Sequence, residues 1–235
     1  MMKAAPWPLT ALFASSIALN LWFAGVPDWR WVPAALAGWY VADLLSGLTH
    51  MYMDYRPCTP GVGLNEMFHY TGSREGADYL ALRDRVLPRI SAFERLVYDF
   101  KNHHPRPEAL GRRPFLVQIG STILFVSLPA SVLLNCITLV SAVPGWFIAG
   151  AVVLIVGGTL AQYFHGTLHR VDNPWVVRAM RHVGLLMTPE AHTLHHATLR
   201  RDFATNTGWS NPVVNLIFRV ATSRGWLNEA GLEPR

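Results

Sequence analysis

Long apolar runs alternate with polar segments along this chain. Four of the runs contain few charged residues and reach the roughly 20 residues that a helix needs to cross about 30 Å of hydrocarbon. The pattern therefore predicts four membrane-spanning helices, at approximately 7–26, 32–53, 115–140 and 146–168. A secretory signal peptide is the alternative for the first run, which follows Lys3, but the run is longer than the apolar part of a usual signal peptide.

The polar segments contain helical patterns of their own. In "LRDRVLPRISAFERLVYDF", residues 82–100, apolar side chains recur at helical spacing and predict one amphipathic helix. Such a helix either lies on the bilayer surface or packs against other helices on the cytoplasmic side. A further helix is predicted to begin with Asp172 or Asn173 as its cap and Pro174 in its first turn, and another with Asn211 as its cap and Pro212 in its first turn. The apolar stripe of the first of these helices consists of Leu82, Val86, Ile90, Phe93, Val97 and Phe100.

Composition and charge placement agree with a membrane protein. Hydrophobic residues make up 51% of the chain and charged residues only 15%, whereas soluble domains carry about 25% charge. Of the 20 Lys and Arg residues, ten fall in 56–113 and eight in 170–235. The positive-inside rule therefore places both termini and the segments 54–114 and 169–235 in the cytoplasm. This topology accounts for the basic pI without a nucleic-acid partner.

These features predict the fold class and the location. We expect an all-α integral membrane protein, built as a single domain over residues 1–235, with four transmembrane helices and a cytoplasmic histidine-rich helical cap. The strong preference for Arg over Lys is typical of a GC-rich bacterial genome, so the expected location is a bacterial inner membrane.

Histidines are the unusual feature of the predicted cytoplasmic face. Eight of the ten histidines fall into four groups at that face, and the other two, His69 and His182, are isolated. A lone histidine is usually an ordinary core or surface residue, but four groups on one side of a membrane indicate a shared metal site. The eight grouped histidines are His50, His103, His104, His165, His169, His192, His195 and His196.

The spacing of the histidines predicts chelation of more than one ion. Residues three or four apart share a helix face, so the His165–His169 pair and the triplet at 192–196 can each bind as a unit. One zinc ion takes four ligands at most, and eight imidazoles are enough for two metals. Cys58 and Cys136 lie too far apart in sequence for a Cys-x-x-Cys site. Iron is favoured because it takes five or six ligands and activates dioxygen, while zinc and manganese stay open.

Two aspartates accompany the histidines. Asp54 follows His50 by one helical turn, and Asp43 precedes His50 by two turns inside the predicted second span. An ionisable residue at membrane depth usually has a function. We therefore predict catalytic-site roles for both aspartates, in orienting imidazoles or stabilising the cationic cluster. The alternative for Asp43 is a hydrogen bond to a neighbouring span.

Four motifs together resemble the Kua/CarF family of lipid desaturases. The motifs are "DLLSGLTHMYMD" at 43–54, "FKNHHPRP" at 100–107, "HGTLH" at 165–169, and "HTLHH" at 192–196 followed by "TNTGWSNP". Their order and spacing make the resemblance specific over residues 40–215. Met51 stands where family members often have Trp, and the segment between Asp54 and His103 is longer than expected.

The resemblance implies an activity and a cofactor. The eight grouped histidines correspond to the family's metal ligands, which implies two iron ions that use O2 and two electrons to introduce a double bond into a phospholipid chain. The double bond expected first is the vinyl ether that converts plasmanylethanolamine to plasmenylethanolamine. An electron-transfer protein, a b-type cytochrome or a ferredoxin-like protein, would be the external electron donor.

Two questions remain open from the sequence. Arg106, Arg112 and Arg113 lie where lipid phosphates would sit, but ordinary positive-inside charge is the favoured explanation. The alternative functions are a di-iron lipid hydroxylase and a non-catalytic histidine-rich membrane sensor or metal carrier. Sequence does not separate hydroxylation from desaturation, because one oxidant can produce either outcome.

Overall fold

The computed structural model describes residues 6–231, and this part of the chain is helical without β-strands. The all-helical prediction is therefore confirmed. Two short 3₁₀ turns, at Leu87–Arg89 and Glu229–Gly231, and a π-helical segment at Ile123–Ser127 complete the helical structure. The α-helices are α1 (Pro6–Ala24), α2 (Trp31–Tyr55), α3 (Leu64–Phe68), α4 (Ala77–Val86), α5 (Ala92–Lys101), α6 (Pro107–Gly111), α7 (Phe115–Thr122), α8 (Leu128–Val140), α9 (Gly145–Leu168), α10 (Trp175–His182), α11 (Pro189–Thr198) and α12 (Asn211–Ser223).

Three helical stretches are long and apolar enough to cross a membrane. They are Trp7–Ala24, Phe115–Val140 and Gly145–Leu168, and they agree with three of the four predicted spans. The middle stretch joins α7 and α8 through the π-helical segment. Helix α2 has 25 residues, so it is long enough to cross, but the polar residues Asp43, Ser46 and His50 lower its hydropathy. The crossing of α2 stays a prediction.

Small residues allow α2 and α9 to run side by side in the same direction. Gly38 on α2 faces the backbone carbonyl of Gly150 on α9, and Gly157 on α9 packs against Ala42. His50 lies near the C-terminal end of α2, and His165 lies near the C-terminal end of α9. Both histidines are therefore at the same end of the helix pair. Because the two backbones touch along their length, their relative register fixes how these histidines face each other.

We predict that Gly38→Ala destabilises this helix pair. A Cβ atom at position 38 would overlap the Gly150 carbonyl, which is backbone and can move only if the helices separate. Overpacking of this kind costs roughly 1–3 kcal/mol. The measurement is thermal and denaturant unfolding in detergent, with Gly158→Ala as the control because a Cβ there meets open space. Equal stability of the two variants would contradict the tight contact.

Buried hydroxyl and amide groups connect α1 to α8. Ser16 and Ser131 share a hydrogen bond of 2.7 Å, and Asn20 donates to the Ser131 hydroxyl at 2.9 Å. Asn135 donates to the Ser16 hydroxyl at 2.8 Å. These four side chains are joined by hydrogen bonds in a surrounding that is otherwise apolar, so they fix the pairing of α1 with α8, although the Oδ1 atoms of Asn20 and Asn135 have no partner among the described residues.

The predicted amphipathic helix at 82–100 is wrong as a single helix. Pro88 lies in the 3₁₀ turn that ends α4, and Ser91 starts α5 with a capping box formed with Glu94. Proline cannot continue the helical hydrogen bonds and Ser91 caps a new start, so the chain turns between the two helices. Val86 and Val97 are buried in one apolar cluster, so this stripe packs against protein, as the second alternative predicted, although Phe93 is exposed.

The predicted starts of the later helices are close to those observed. Helix α10 begins at Trp175 with Pro174 at its N-cap, so Asp172 and Asn173 precede the helix and do not cap it. Helix α12 begins at Asn211 with Ser210 at its N-cap, so Asn211, the predicted cap, is the first helical residue.

Candidate metal centre

The ends of α2 and α9 and two later segments bring the eight grouped histidines together. His50 lies near the end of α2, His165 lies in the last turn of α9, and His169 follows directly at its C-cap. His103 and His104 lie in the turn after α5, and α11 supplies His192, His195 and His196. All eight side chains are buried or half-buried.

The ring nitrogens converge in two adjoining groups. We call the first the five-histidine group; it consists of His103, His165, His169, His192 and His196. We call the second the His–Asp group; it consists of His50, Asp54, His104 and His195. Within each group one donor atom from every residue lies within 4.8 Å of the others. The imidazole rings of His50 and His165, one from each group, have centroids 4.9 Å apart, so the two groups form one centre.

Distances within the groups show how closely the donor atoms face each other. The Nε2 atom of His192 lies 3.1 Å from the Nε2 atoms of both His165 and His196. In the second group the Asp54 carboxylate lies 3.4 Å from Nε2 of His50 and 3.3 Å from Nε2 of His195. Asp54 also lies 3.3 Å from Nε2 of His104. The structure thus places Asp54 among the donor atoms themselves, whereas the sequence predicted only a supporting position beside His50.

Backbone carbonyls orient two of the rings. His195 Nδ1 lies 2.8 Å from the carbonyl oxygen of Arg201, and His103 Nδ1 contacts the carbonyl oxygen of Phe100. A hydrogen bond at Nδ1 fixes the tautomer with its proton there and leaves the Nε2 lone pair available. In both residues Nε2 is therefore the atom that faces the centre.

Burial keeps the imidazoles of the five-histidine group outside α9 neutral. Loss of hydration lowers the pKa of His169 to about 4 and the pKa of His196 to about 3, and neighbouring imidazoles, His104 and His195 among them, add to both effects. Burial also lowers the pKa of His103 and, well below its usual value, the pKa of His192. A neutral imidazole carries the lone pair that a metal ion needs.

Two aromatic rings pack against histidines of the centre. The Phe100 ring meets His50 edge-on at a centroid distance of 4.9 Å, and the fully buried Phe203 ring lies 5.0 Å from His195. Sequence reasoning did not single out these two residues for the site. Phe100 is the first residue of the motif at 100–107, and Phe203 follows His196 by seven residues, which is the signal that could have indicated them.

Asp43 does not join the histidines, and the prediction that it orients an imidazole is wrong. Its carboxylate accepts hydrogen bonds from the backbone N–H groups of Thr207, Gly208 and Ser210 and from the Ser210 hydroxyl, at 2.7–3.1 Å. Asp43 precedes His50 by two helical turns along α2. Its side chain therefore meets the loop that contains Thr207 and Ser210 instead of the histidines. The alternative prediction, a bond to a neighbouring span, is also wrong because the partner is a loop.

The three arginines predicted to meet lipid phosphate differ in their surroundings. Arg106 donates to the backbone carbonyl of Tyr70 at 2.6 Å and so holds the loop after α3. Arg112 is exposed. Arg113 lines a narrow cavity of about 10 Å³ together with His103, Leu110, Phe100 and Gln162. Arg113 therefore shares a cavity with His103, a residue of the centre.

His69 and His182 lie outside both groups, as their isolation in the sequence predicted. Both side chains are exposed, and His182 is the last residue of α10 rather than a mid-helix residue. They provide natural comparison positions for the eight grouped histidines.

Comparison with known proteins gives the chain a family. A model described as the lipid desaturase domain matches residues 89–222, more than half of the 235 residues. This chain belongs to the lipid desaturase family. It is 24% identical over 229 residues to the plasmanylethanolamine desaturase of Myxococcus xanthus, covering 94% of this chain and 69% of that relative. No solved structure matches the chain.

The family match and the geometry of this desaturase reinforce each other. The matched region contains seven of the eight grouped histidines, while His50 and Asp54 precede it. The structure places these two residues among the same donor atoms. The resemblance to lipid desaturases expected from the sequence motifs is thereby confirmed, and the histidine groups are compatible with a metal site.

Proposed function

We propose that this desaturase is an integral membrane enzyme that binds two iron ions and uses O2 and two electrons to introduce a double bond into a phospholipid chain. The first substrate to test is an ether-linked alkyl chain, with plasmanylethanolamine converted to plasmenylethanolamine. The observation that carries the proposal is the convergence of eight imidazoles and one carboxylate in two adjoining groups.

The donor atoms fit metal ions better than they fit one another. Within residues 6–231, the buried Nε2 atoms of His50, His103, His104 and His195 and both Asp54 oxygens have no hydrogen-bond partner. A buried polar atom without a partner costs about 1–3 kcal/mol. Because so many such atoms face the same two places, bound cations would satisfy all of them together.

The chemistry of the donors favours iron. Five nitrogen donors in one group, and three nitrogens with a carboxylate in the other, leave room for five- or six-coordinate ions. Zinc usually keeps to four ligands and has no redox chemistry. Iron, when bound, would supply the oxidising power that removal of hydrogen from an unactivated carbon requires, because side-chain acids and bases cannot provide it.

Protein residues would perform the other tasks of the reaction. The eight histidines and Asp54 would hold the ions, and the carbonyls of Arg201 and Phe100 keep His195 and His103 in the orientation that binding needs. The rings of Phe100 and Phe203 exclude water beside His50 and His195. Exclusion of water protects a reactive centre from side reactions.

The cavity at His103 is the proposed approach for the lipid chain. Phe100 and Leu110 give it apolar walls, and Arg113 supplies a cation in a lining that also contains Asp99 and Asn102. The apolar walls suit a hydrocarbon chain, and the guanidinium suits a phosphate oxygen of the headgroup. With a volume of about 10 Å³ the cavity holds little more than one water molecule, so α5 and α6 must move apart to admit a chain.

We further propose the location and the electron donor. The positive charge of 54–114 and 169–235 supports a location of the metal centre and both termini on the cytoplasmic side of a bacterial inner membrane. Electrons would arrive there from a b-type cytochrome or a ferredoxin-like protein.

Two other functions predict different products. A lipid hydroxylase with the same ions would add oxygen to the chain, and a sensor or metal carrier would leave lipids unchanged. The family match favours desaturation over both.

Lipid mass spectrometry tests the proposal. The desaturase would be expressed in a host that lacks plasmalogens, supplied with ether lipids, and compared with and without O2. We expect an O2-dependent loss of two hydrogens and acid-labile aldehyde release, together with close to two irons per purified chain by elemental analysis. An added oxygen would support the hydroxylase, unchanged lipids would support the carrier or sensor, and one zinc per chain after iron-replete growth would contradict the di-iron centre.

A further inference from the structure

The segment 203–210 runs from Phe203, beside Tyr55 at the end of α2, to contacts near the middle of α2 and α9. Ala204 packs directly against Gly47, where a Cβ atom would meet it. Asn206 donates to the carbonyl oxygen of Gly157 at 3.3 Å, and the Asp43 carboxylate binds the backbone around Ser210. Asp43 and Gly157 are each about the thirteenth residue of their helix.

Those contacts set the depth of the segment. Helix α9 is one of the three helices long and apolar enough to cross a membrane. Gly157 precedes Leu168, the histidine end of α9, by 11 residues, which at 1.5 Å per residue is about 16 Å. The hydrocarbon layer is about 30 Å thick, so the segment reaches well into its cytoplasmic half.

Protein groups satisfy several backbone polar groups of the segment, as membrane depth requires. Asp43 accepts from three backbone N–H groups within four residues, at Thr207, Gly208 and Ser210. The Asn211 side chain accepts from the Ala204 N–H at 2.9 Å and donates to the Ala204 carbonyl. Irregular backbone within the hydrocarbon layer occurs only where protein groups satisfy it in this way.

Helix α12 leads from this depth back towards the histidine end. Its first residue follows Ser210, whose hydroxyl donates to the Asp43 carboxylate. Further along the helix, the ring of Phe218 contacts the ring of Tyr55, the last residue of α2, with centroids 5.2 Å apart. Its 13 residues correspond to about 20 Å, which is too short to cross a bilayer but suits one leaflet.

Helix α12 is apolar on two sides. Val214 and Phe218 are buried against α2 and Phe203. The opposite side carries a stripe at i, i+3, i+4 and i+7 spacing whose side chains are all exposed, with Leu216 at 53%. Exposure of a continuous apolar stripe to water is unfavourable. The exposed stripe consists of Val213, Leu216, Ile217 and Val220.

Charged and aromatic residues match a membrane orientation. Trp209 is exposed at the deep end, and Trp226 is exposed just after the other end, beside Arg224 at 5.4 Å from the ring centroid. Tryptophan and arginine together are typical of the level of lipid headgroups, where the guanidinium reaches phosphate. The polar end of α12 is thus the end nearest the metal centre.

We propose that residues 203–223 form a re-entrant element of the cytoplasmic leaflet, with the stripe of α12 in contact with lipid acyl chains. Asp43 anchors the tip of this element. The exposed apolar residues Val41 and Leu45 of α2 continue the same lipid-facing surface. The element also contains Phe203, whose ring contacts His195, and it follows Arg201, whose carbonyl oxygen contacts His195 Nδ1. The depth of the element in the membrane therefore affects the position of His195. The proposal goes beyond desaturation and depends on α9 crossing the membrane.

Spin labels measure the depth of each stripe residue. In a background with Cys58→Ala and Cys136→Ala, single cysteines at 213, 216, 217 and 220 would be labelled in lipid nanodiscs holding one chain each. Collision rates with O2 and with a water-soluble nickel chelate would be compared with those of Phe125→Cys on the π-helical segment and of Asp84→Cys on α4, both exposed positions. Unchanged metal content checks that each variant is folded.

The expected result is a depth gradient. All four labels should resemble Phe125→Cys, with high O2 and low chelate collision rates, and depth should fall by about 10 Å from position 213 to position 220. Chelate access equal to that of Asp84→Cys would overturn the proposal, because the stripe would then face water. Labels inaccessible to both reagents, or coupled to each other when two chains share a nanodisc, would show a protein partner on the stripe and would also overturn it.

Discussion

Replacing His195 by Ala is expected to abolish lipid conversion and to remove about one of the two proposed irons per chain. His195 is completely buried, and its Nε2 atom lies 3.3 Å from the Asp54 carboxylate. Loss of residues that merely support a metal ligand commonly costs 10- to 100-fold in affinity or activity, so loss of a direct ligand should cost more. The five-histidine group keeps all its donors in this variant. Iron per folded chain and lipid conversion at matched expression are the two measurements.

His182→Ala and His69→Ala are the matched controls for this variant. Both histidines are exposed and lie outside the two groups, so both variants should keep their iron and most activity. His165→Ala extends the comparison to the five-histidine group and should also stop conversion. If His182→Ala were as inactive as His195→Ala while folded, or if several grouped histidines proved dispensable, the proposed ligand set would be wrong.

Replacing Asp43 by Ala is expected to unfold the tail around the metal centre, although Asp43 contacts none of the donor residues through its four described hydrogen bonds. The change leaves the N–H groups of Thr207, Gly208 and Ser210 without their acceptor. Bonds to charged groups contribute about 1.5–3 kcal/mol each, so the loss is on the order of 3–5 kcal/mol after partial rearrangement. Reduced unfolding stability and reduced iron content should appear together.

Asp43→Asn separates the anchoring role from a catalytic role. An amide can accept from Thr207 and Gly208 with its oxygen, but its NH2 group would face the donors of Ser210. We therefore expect an intermediate loss of stability, with Asp172→Asn, an exposed position, as the neutral control. A folded, iron-loaded but inactive Asp43→Asn enzyme would instead restore the catalytic role that the sequence suggested.

Hydrophobic periodicity predicted the long helices well and the short ones poorly. The apolar runs at 115–140 and 146–168 correspond to helical stretches within one residue, because burial in lipid or protein requires continuous apolar sequence. The break between α4 and α5 was missed, since the apolar residues on either side of Pro88 keep the same spacing. Helix α12 was predicted from its Asn-Pro start alone, and its second apolar face was not recognised.

The sequence also predicted which histidines would meet, but not how they would divide. Local spacing groups His165 with His169, and the structure keeps both in the five-histidine group. The triplet of α11 is split, because His195 projects to a different side of the helix from His192 and His196 and meets Asp54. The partner of Asp43 lies more than 160 residues away in sequence, at a distance that no local pattern encodes.

The glycine contacts between α2 and α9 constrain which substitutions this protein can accept. Gly38 lies 12 residues before His50, about 18 Å along the helix, yet any side chain there would push Gly150 and with it the end that carries His165. Substitutions on the outer surfaces of the same helices meet no such backbone. Inherited change should therefore accumulate on the outward faces, and inactivating natural variants should occur along the glycine contact as well as at the histidines.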